Sequence, residues 1–365
     1  MDLGSSGSGV DLGSRLELIL FCTTVLSGSY DSTVICGHRE IYKKHESLTK
    51  VEASEAVKSF LNISKGCLIE GDDLLLSGFG KFNIGTCSWK YDSWAGLIYS
   101  KKKPANYLQE YSRYYSTVEV DQWFWSLFTG NKVVLPKPAV VKEYVSSVPD
   151  DFKFGVKVPN AITLSHYYSK KGEPLIPNPY FLSVDIMERF LYSISGMVEK
   201  LGPLMFQFEY LNKQKMPGGL NQFIDLFGEF TEQLSPGMRY CVECRNPNYL
   251  NQKYFTFLEE KRLSHVFLQG YYMPSIFEIY GKYKKQIKDY VVIRLHGPDR
   301  KGIEKVTGKD WSQVIAPRND DIKALVGMLE ELEQREVEMF IYVNNHFEGS
   351  APRTIERIGN AMGGE

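Results

Sequence analysis

From Phe82 onward the chain repeats one unit, a short run fit for a strand followed by a stretch with helical spacing. The strand-like runs are Phe82–Thr86, Thr117–Asp121, Phe152–Lys157, Leu204–Phe208, Arg239–Glu243, His265–Gln269, Tyr290–Leu295 and Met339–Asn344. Helices are expected over Ala105–Tyr115, Val140–Val145, Phe181–Lys200, Leu220–Gln233, Asn251–Lys261, Ser275–Lys284, Asp320–Glu336 and Ala351–Ala361. Alternating β and α units imply parallel strands joined by crossover helices. Eight such units in about 280 residues suit a closed barrel better than an open sheet. The expected fold is therefore α/β, a TIM (β/α)8 barrel, over residues 82–365.

The run Arg239–Pro247, RYCVECRNP, makes the hardest demand on that barrel. Period two gives one strand face to Cys241, Glu243 and Arg245 and the other to Tyr240, Val242 and Cys244. With apolar residues on both faces, the strand belongs inside the protein. A carboxylate and a guanidinium are costly to bury there unless they pair or meet a ligand. Two readings stay open, a structural ion pair or a site at the strand's end.

A TIM barrel builds its site at the C-terminal ends of its strands. This chain places Trp89 after the first, Glu119 and Asp121 at the second, and Lys157 at the third. Gln207 ends the fourth, Glu243 and Arg245 the fifth, Arg294 and His296 the seventh, and Asn345 the eighth. Glu119, Glu243 and His296 are the candidate catalytic acids or bases. Lys157, Arg245 and Arg294 form a basic trio suited to a phosphate or carboxylate. Asn345, Gln207, Trp89 and Asp121 complete the expected substrate contacts. Gly349-Ser350 ahead of the last helix, with Pro352 in its first turn, would offer free N–H groups to an anion. The competing reading is a self-satisfied ion network among the same charges.

No cofactor or metal is expected. His38, His45 and His265 lie away from the strand ends, which leaves too few ligands for a zinc cluster. Glu119, Asp121 and Glu243 are the one set that would suit Mg²⁺ or Mn²⁺. Trp89, Trp94, Trp123 and Trp125 follow the first two strands with Tyr91 and Tyr99. Most of these rings are expected to pack the loops onto the barrel, with Trp89 kept as the ring that meets a ligand.

The motifs GTCSWKYDSW, VEVDQWF, FKFGVKVPNAIT, QFEY, VECRNP, VIRLHG and VNNHFEGSAP stand in the order and spacing of the YecE-like family, the domain of unknown function 72. The resemblance covers residues 82–362 and implies a TIM barrel with a polar pocket but no settled activity. Asp121, Trp123 and Trp125 depart from the family pattern, as do the residues after Gln207. These departures imply a more acidic and more aromatic mouth.

Ahead of the barrel, residues 1–46 read as a disordered leader, rich in Gly and Ser at its start. Residues 47–81, within LTKVEASEAVKSFLNISKGCLIEGDDLLLSGFGKF, resemble a helix and hairpin of the HU/IHF DNA-binding proteins. A full first helix and the DNA-gripping arm are missing, so DNA binding does not carry over. The chain balances 43 basic against 44 acidic residues, which advertises no polyanion partner. The expected partner is a small anionic ligand, with nucleic acid second and no membrane. The apolar run Leu16–Leu26 is too short to span a bilayer. Six cysteines in 365 residues do not make a disulfide framework, so a reducing, cytoplasmic setting is expected.

Overall fold

The computed structural model describes residues 82–169 and 172–363. The chain divides into two units, residues 1–80 and 81–365, and the described residues belong to the second. The leader, the HU/IHF-like stretch and the run Leu16–Leu26 lie outside the described residues.

In chain order the strands are β1 (Phe82–Cys87), β2 (Thr117–Val120), β3 (Leu127–Phe128), β4 (Lys132–Val133), β5 (Lys153–Lys157), β6 (Leu201–Phe208), β7 (Tyr240–Cys244), β8 (Ser264–Gly270), β9 (Tyr290–Gly297) and β10 (Glu338–Val343). Eight of them, all but β3 and β4, close a parallel barrel in the order β1-β10-β9-β8-β7-β6-β5-β2. All eight expected strands are present, each within a few residues of its expected bounds. The TIM barrel is the fold.

Alternation within the strands explains how the interior is layered. Cys87, Met205, Cys241, Val266, Val292, Phe340 and Tyr342 form one buried apolar cluster drawn from six strands. Two residues further along β6, β7 and β9, on the same face, stand Gln207, Glu243 and Arg294. An apolar floor therefore carries a charged layer at the C-terminal end of the barrel. Tyr342 leans across to Gly155, where a Cβ would lie 2.0 Å from the tyrosine hydroxyl. Only glycine fits at that point of β5.

The outward faces meet the helices. Phe206 and Phe208 of β6 point to helix α5 (Gly219–Thr231), with ring centroids 5.4 Å for Phe206–Phe227 and 5.0 Å for Phe208–Phe223. Truncating Phe206 to alanine is expected to cost about 3–5 kcal/mol, because the packed helix cannot collapse into the void. Urea unfolding checks this as a lower midpoint with an unchanged slope.

The other helices are α1 (Tyr107–Tyr111), α2 (Pro138–Ser146), α3 (Asn160–Thr163), α4 (Val184–Ser193), α6 (Gln252–Glu260), α7 (Ile276–Tyr283), α8 (Arg300–Thr307), α9 (Asn319–Gln334) and α10 (Ala351–Met362). The long helix expected over Phe181–Lys200 is instead α4, capped by the Ser183 side chain, followed by a 3-10 segment at Ser195–Lys200. Three elements were not expected from the sequence. The β3–β4 hairpin turns at Gly130 and Asn131, both at positive φ. Helix α3 is a single turn. Helix α8 buries none of its residues, and its eight residues hold only Ile303 and Val306 as large apolar positions, too few for periodicity to mark.

Candidate functional site

The charged layer is built around Arg294, which is almost wholly buried. Its Nε and Nη2 donate to Glu119 at 2.6 and 2.8 Å, a bidentate grip. Its Nη1 donates to Glu243 and lies 3.5 Å from Gln207 Oε1. Lys157 Nζ stands 3.0 Å from Glu119 Oε1, the oxygen that also accepts from Arg294 Nη2, and Arg245 Nε donates to Glu243 at 2.8 Å. The sheet register makes this assembly, since Gln207 pairs with Glu243 and Cys87 with Glu119 on adjacent strands. Neither charge of the Glu243–Arg245 motif is left alone. The ion network anticipated as the competing reading is therefore present, and it is continuous across the barrel.

Electrostatics follows from that packing. Burial alone would raise the Glu119 carboxyl, but Arg294 and Lys157 outweigh it and hold it below the usual range. Burial also works against the Glu243 carboxylate, yet Arg294 and Arg245 bring it down to about 2. Both acids are thus fixed as carboxylates at neutral pH, and the guanidinium of Arg294 fills the space between them. His296 is held neutral, first by burial and then by the cations Arg294, Lys157 and Arg245. Its Nδ1 lies 3.0 Å from the Tyr271 hydroxyl and its Nε2 3.6 Å from Cys87 Sγ. Burial and the adjacent Glu119 push the Cys87 thiol well up, so it is no thiolate.

Solvent reaches only the upper edge of the layer. The Lys157 and Arg245 side chains keep 11% and 25% of their surface, against 0–1% for Glu119, Glu243 and Arg294. Lys157 Nζ bonds only Glu119, and Arg245 donates only through Nε, among the described residues. The guanidinium of Arg245 also lies over the Tyr271 ring, 5.1 Å from its centroid. Asp121 sits at this edge, half-buried, with no hydrogen bond or ion pair to another described side chain. Burial raises its carboxyl pKa, Lys157 opposes the shift and Glu119 adds to it.

Two expected substrate contacts stand elsewhere. Trp89 is 2% exposed and packs edge-on against Tyr144, 5.2 Å between centroids, so it has no open face for a ligand. The ring left exposed in that region is Trp125; Trp94 and Trp123 are buried, as expected for loop packing. Asn345 is also buried, and its Oδ1 accepts the Ala351 N–H at 2.8 Å. The anion seat expected at the start of α10 is already served. Pro352 has no N–H, and the buried Glu348 carboxylate accepts from Arg318 N and Thr354 Oγ1 there. Cys87 and Tyr271 belong to the site but were not among the sequence candidates. The order Thr86-Cys87-Ser88 at a strand end was the available sign of the first.

Among the described residues no group of three His, Cys, Asp or Glu side chains is arranged to hold a metal ion. The profile described as Protein of unknown function DUF72 matches residues 83–365, most of the chain. The chain belongs to the DUF72 family. A profile described as Bacterial DNA-binding protein matches residues 38–90. Among solved structures, the DUF72 barrel is similar to a DUF72 protein from Enterococcus faecalis, with a TM-score of 0.55 and 20% identity. That match covers 77% of this chain and 95% of the other. A DUF72 protein from Thermotoga maritima matches with a TM-score of 0.53 and 18% identity, covering 76% and 99%. At such identities the likeness carries the fold alone. No curated protein matches the sequence. Among the described residues no helix is long and apolar enough to cross a membrane.

Proposed function

We propose that the barrel mouth binds a small anionic ligand, a phosphate ester first, between Lys157 and Arg245. The observation that carries this reading is their unused donors: among the described residues each cation meets one carboxylate, and each keeps part of its side chain in solvent. Arg294 takes a supporting part, since its guanidinium is engaged by Glu119 and Glu243. With both glutamates held as carboxylates, the acid/base role falls to Asp121, whose raised pKa suits proton exchange, with His296 behind it. The reaction class that fits is hydrolysis or elimination on a phosphorylated substrate. The three described cysteines are free and buried, which supports a reducing, cytoplasmic setting.

A thermal-shift series with inorganic phosphate and phosphate monoesters tests the reading. A ligand at a hundred times its Kd should stabilise the fold by about 2.7 kcal/mol. The shift should fall to about half or less in Arg245→Gln; a shift of equal size in that variant rejects the site. Affinity should also depend on Asp121. A protonated Asp121 removes a negative charge from the seat, so binding should strengthen as pH falls through its raised pKa. Comparison with Asp121→Asn cancels the titration of phosphate itself, and equal pH profiles would exclude the role.

A second reading, nucleic-acid binding, draws on the DNA-binding profile at residues 38–90. It requires affinity for short single-stranded DNA that falls steeply with salt. Binding that is absent, or insensitive to salt, removes it.

A further inference from the structure

Four large rings stand 50–61% exposed around the mouth: Trp125, Tyr168, Tyr210 and Tyr272. They follow the C-terminal ends of β2, β5, β6 and β8, so four separate loops bring them to one end of the barrel. They form two pairs, Trp125–Tyr168 with centroids 6.0 Å apart and Tyr210–Tyr272 at 6.4 Å. Arg245 lies within electrostatic reach of one ring from each pair, Tyr168 and Tyr272. The cation thus lies against the Tyr271 ring and within electrostatic reach of one ring of each pair. Other rings are exposed too, Tyr192 on α4 to 81%, so what sets these four apart is their pairing after the ends of four barrel strands. Clustered apolar surface of this kind marks a ligand or partner site.

A second feature at the same rim asks for a donor. Glu209, two residues beyond Gln207 on the interior face, gives one carboxylate oxygen to Lys215. Its other oxygen, Oε1, is buried and has no hydrogen-bond partner among the described residues. A buried acceptor without a donor is costly, and a ligand hydroxyl would satisfy it. The Glu209 charge also acts on the Tyr168 phenol, so the acceptor is within electrostatic reach of one of the ring pairs.

We infer that the ligand is a phosphorylated sugar. Its phosphate meets Arg245 and Lys157, its ring lies against the rim aromatics, and one hydroxyl donates to Glu209 Oε1. This deepens the anion-binding reading above and rests on it. Tyr and Trp suit the task because they offer a flat apolar face at small entropic cost. A hexose phosphate and a nucleoside monophosphate share this chemistry, differing in whether a sugar or a base covers the rings.

The test titrates the full chain with inorganic phosphate, glycerol phosphate, glucose 6-phosphate and adenosine monophosphate. At least one ring-bearing ester should bind about tenfold or more tightly than glycerol phosphate, the range expected for a stacked ring. Trp125→Ala and Tyr272→Ala, both at exposed positions, should remove that advantage while leaving inorganic phosphate unchanged. Which ester gains identifies the source of the ring. Equal affinity for the acyclic and ring-bearing esters, or an advantage that survives both substitutions, overturns the sugar assignment while leaving anion binding intact. Failure of inorganic phosphate itself to bind overturns both.

Discussion

Replacing Arg294 by alanine is expected to destabilise the barrel by about 3–5 kcal/mol, since it leaves two buried carboxylates without their shared partner. The pH dependence should change sign along with the magnitude. In the wild-type protein, Glu243 titrates near 2 when folded, below its ordinary 4.5. That difference contributes stability above the unfolded pKa and is lost as pH falls through the folded value. Glu119 acts in the same direction. Without Arg294 burial dominates and the folded carboxyls rise above their unfolded values. The variant should then be most stable in acid and lose stability as pH increases. Adding Glu119→Gln and Glu243→Gln to an Arg294→Met background should recover part of the loss, because no buried carboxylate is left unpaired, while Lys157 and Arg245 at the solvent edge lose their partners. Urea unfolding at several pH values checks all three statements, and a variant as stable as wild type at neutral pH would contradict the network.

Arg245→Gln should weaken phosphate binding by about 10–150-fold, the equivalent of about 1.5–3 kcal/mol for hydrogen bonds from a charged donor. Stability should change much less than in Arg294→Ala. Arg245 keeps a quarter of its side chain in solvent, and Glu243 would still be held by Arg294. A large affinity loss with a small stability loss separates a ligand contact from a structural ion pair. The measurement is a titration at fixed ionic strength, because exposed charge is screened by salt. The reverse pattern would assign Arg245 to the fold.

The barrel was legible because its strands are apolar on both faces and most of the helices carry a buried stripe, and burial imposes both patterns on the sequence. The charged layer was legible for a related reason. Period two assigned Glu243 with Arg245, Glu119 with Asp121 and Arg294 with His296 to common faces, and the sheet closes those faces into one layer. What periodicity could not say was which cation meets which acid. Arg294 became the hub because β9 stands three strands from β2 and two from β7 around the closed barrel, a relation between distant strands that no local spacing encodes. The same limit explains the rim. Trp89 and Trp125 lie in neighbouring loops with similar composition, and only loop geometry buries one and exposes the other. Asn345 looked like a clamp because it follows a strand, yet the turn into α10 needs its side chain for Ala351. Helix α8 was missed because it is short, with Ile303 and Val306 its only large apolar positions and neither of them buried.

The central claim is an anion seat between Lys157 and Arg245, and isothermal titration of inorganic phosphate tests it most directly. The wild-type protein should bind with a measurable heat. A Lys157→Met, Arg245→Gln double variant with an unchanged circular dichroism spectrum should give none. Equal binding by both proteins, or no binding by the folded wild type, would contradict the claim and leave the charged layer as an element of the fold alone.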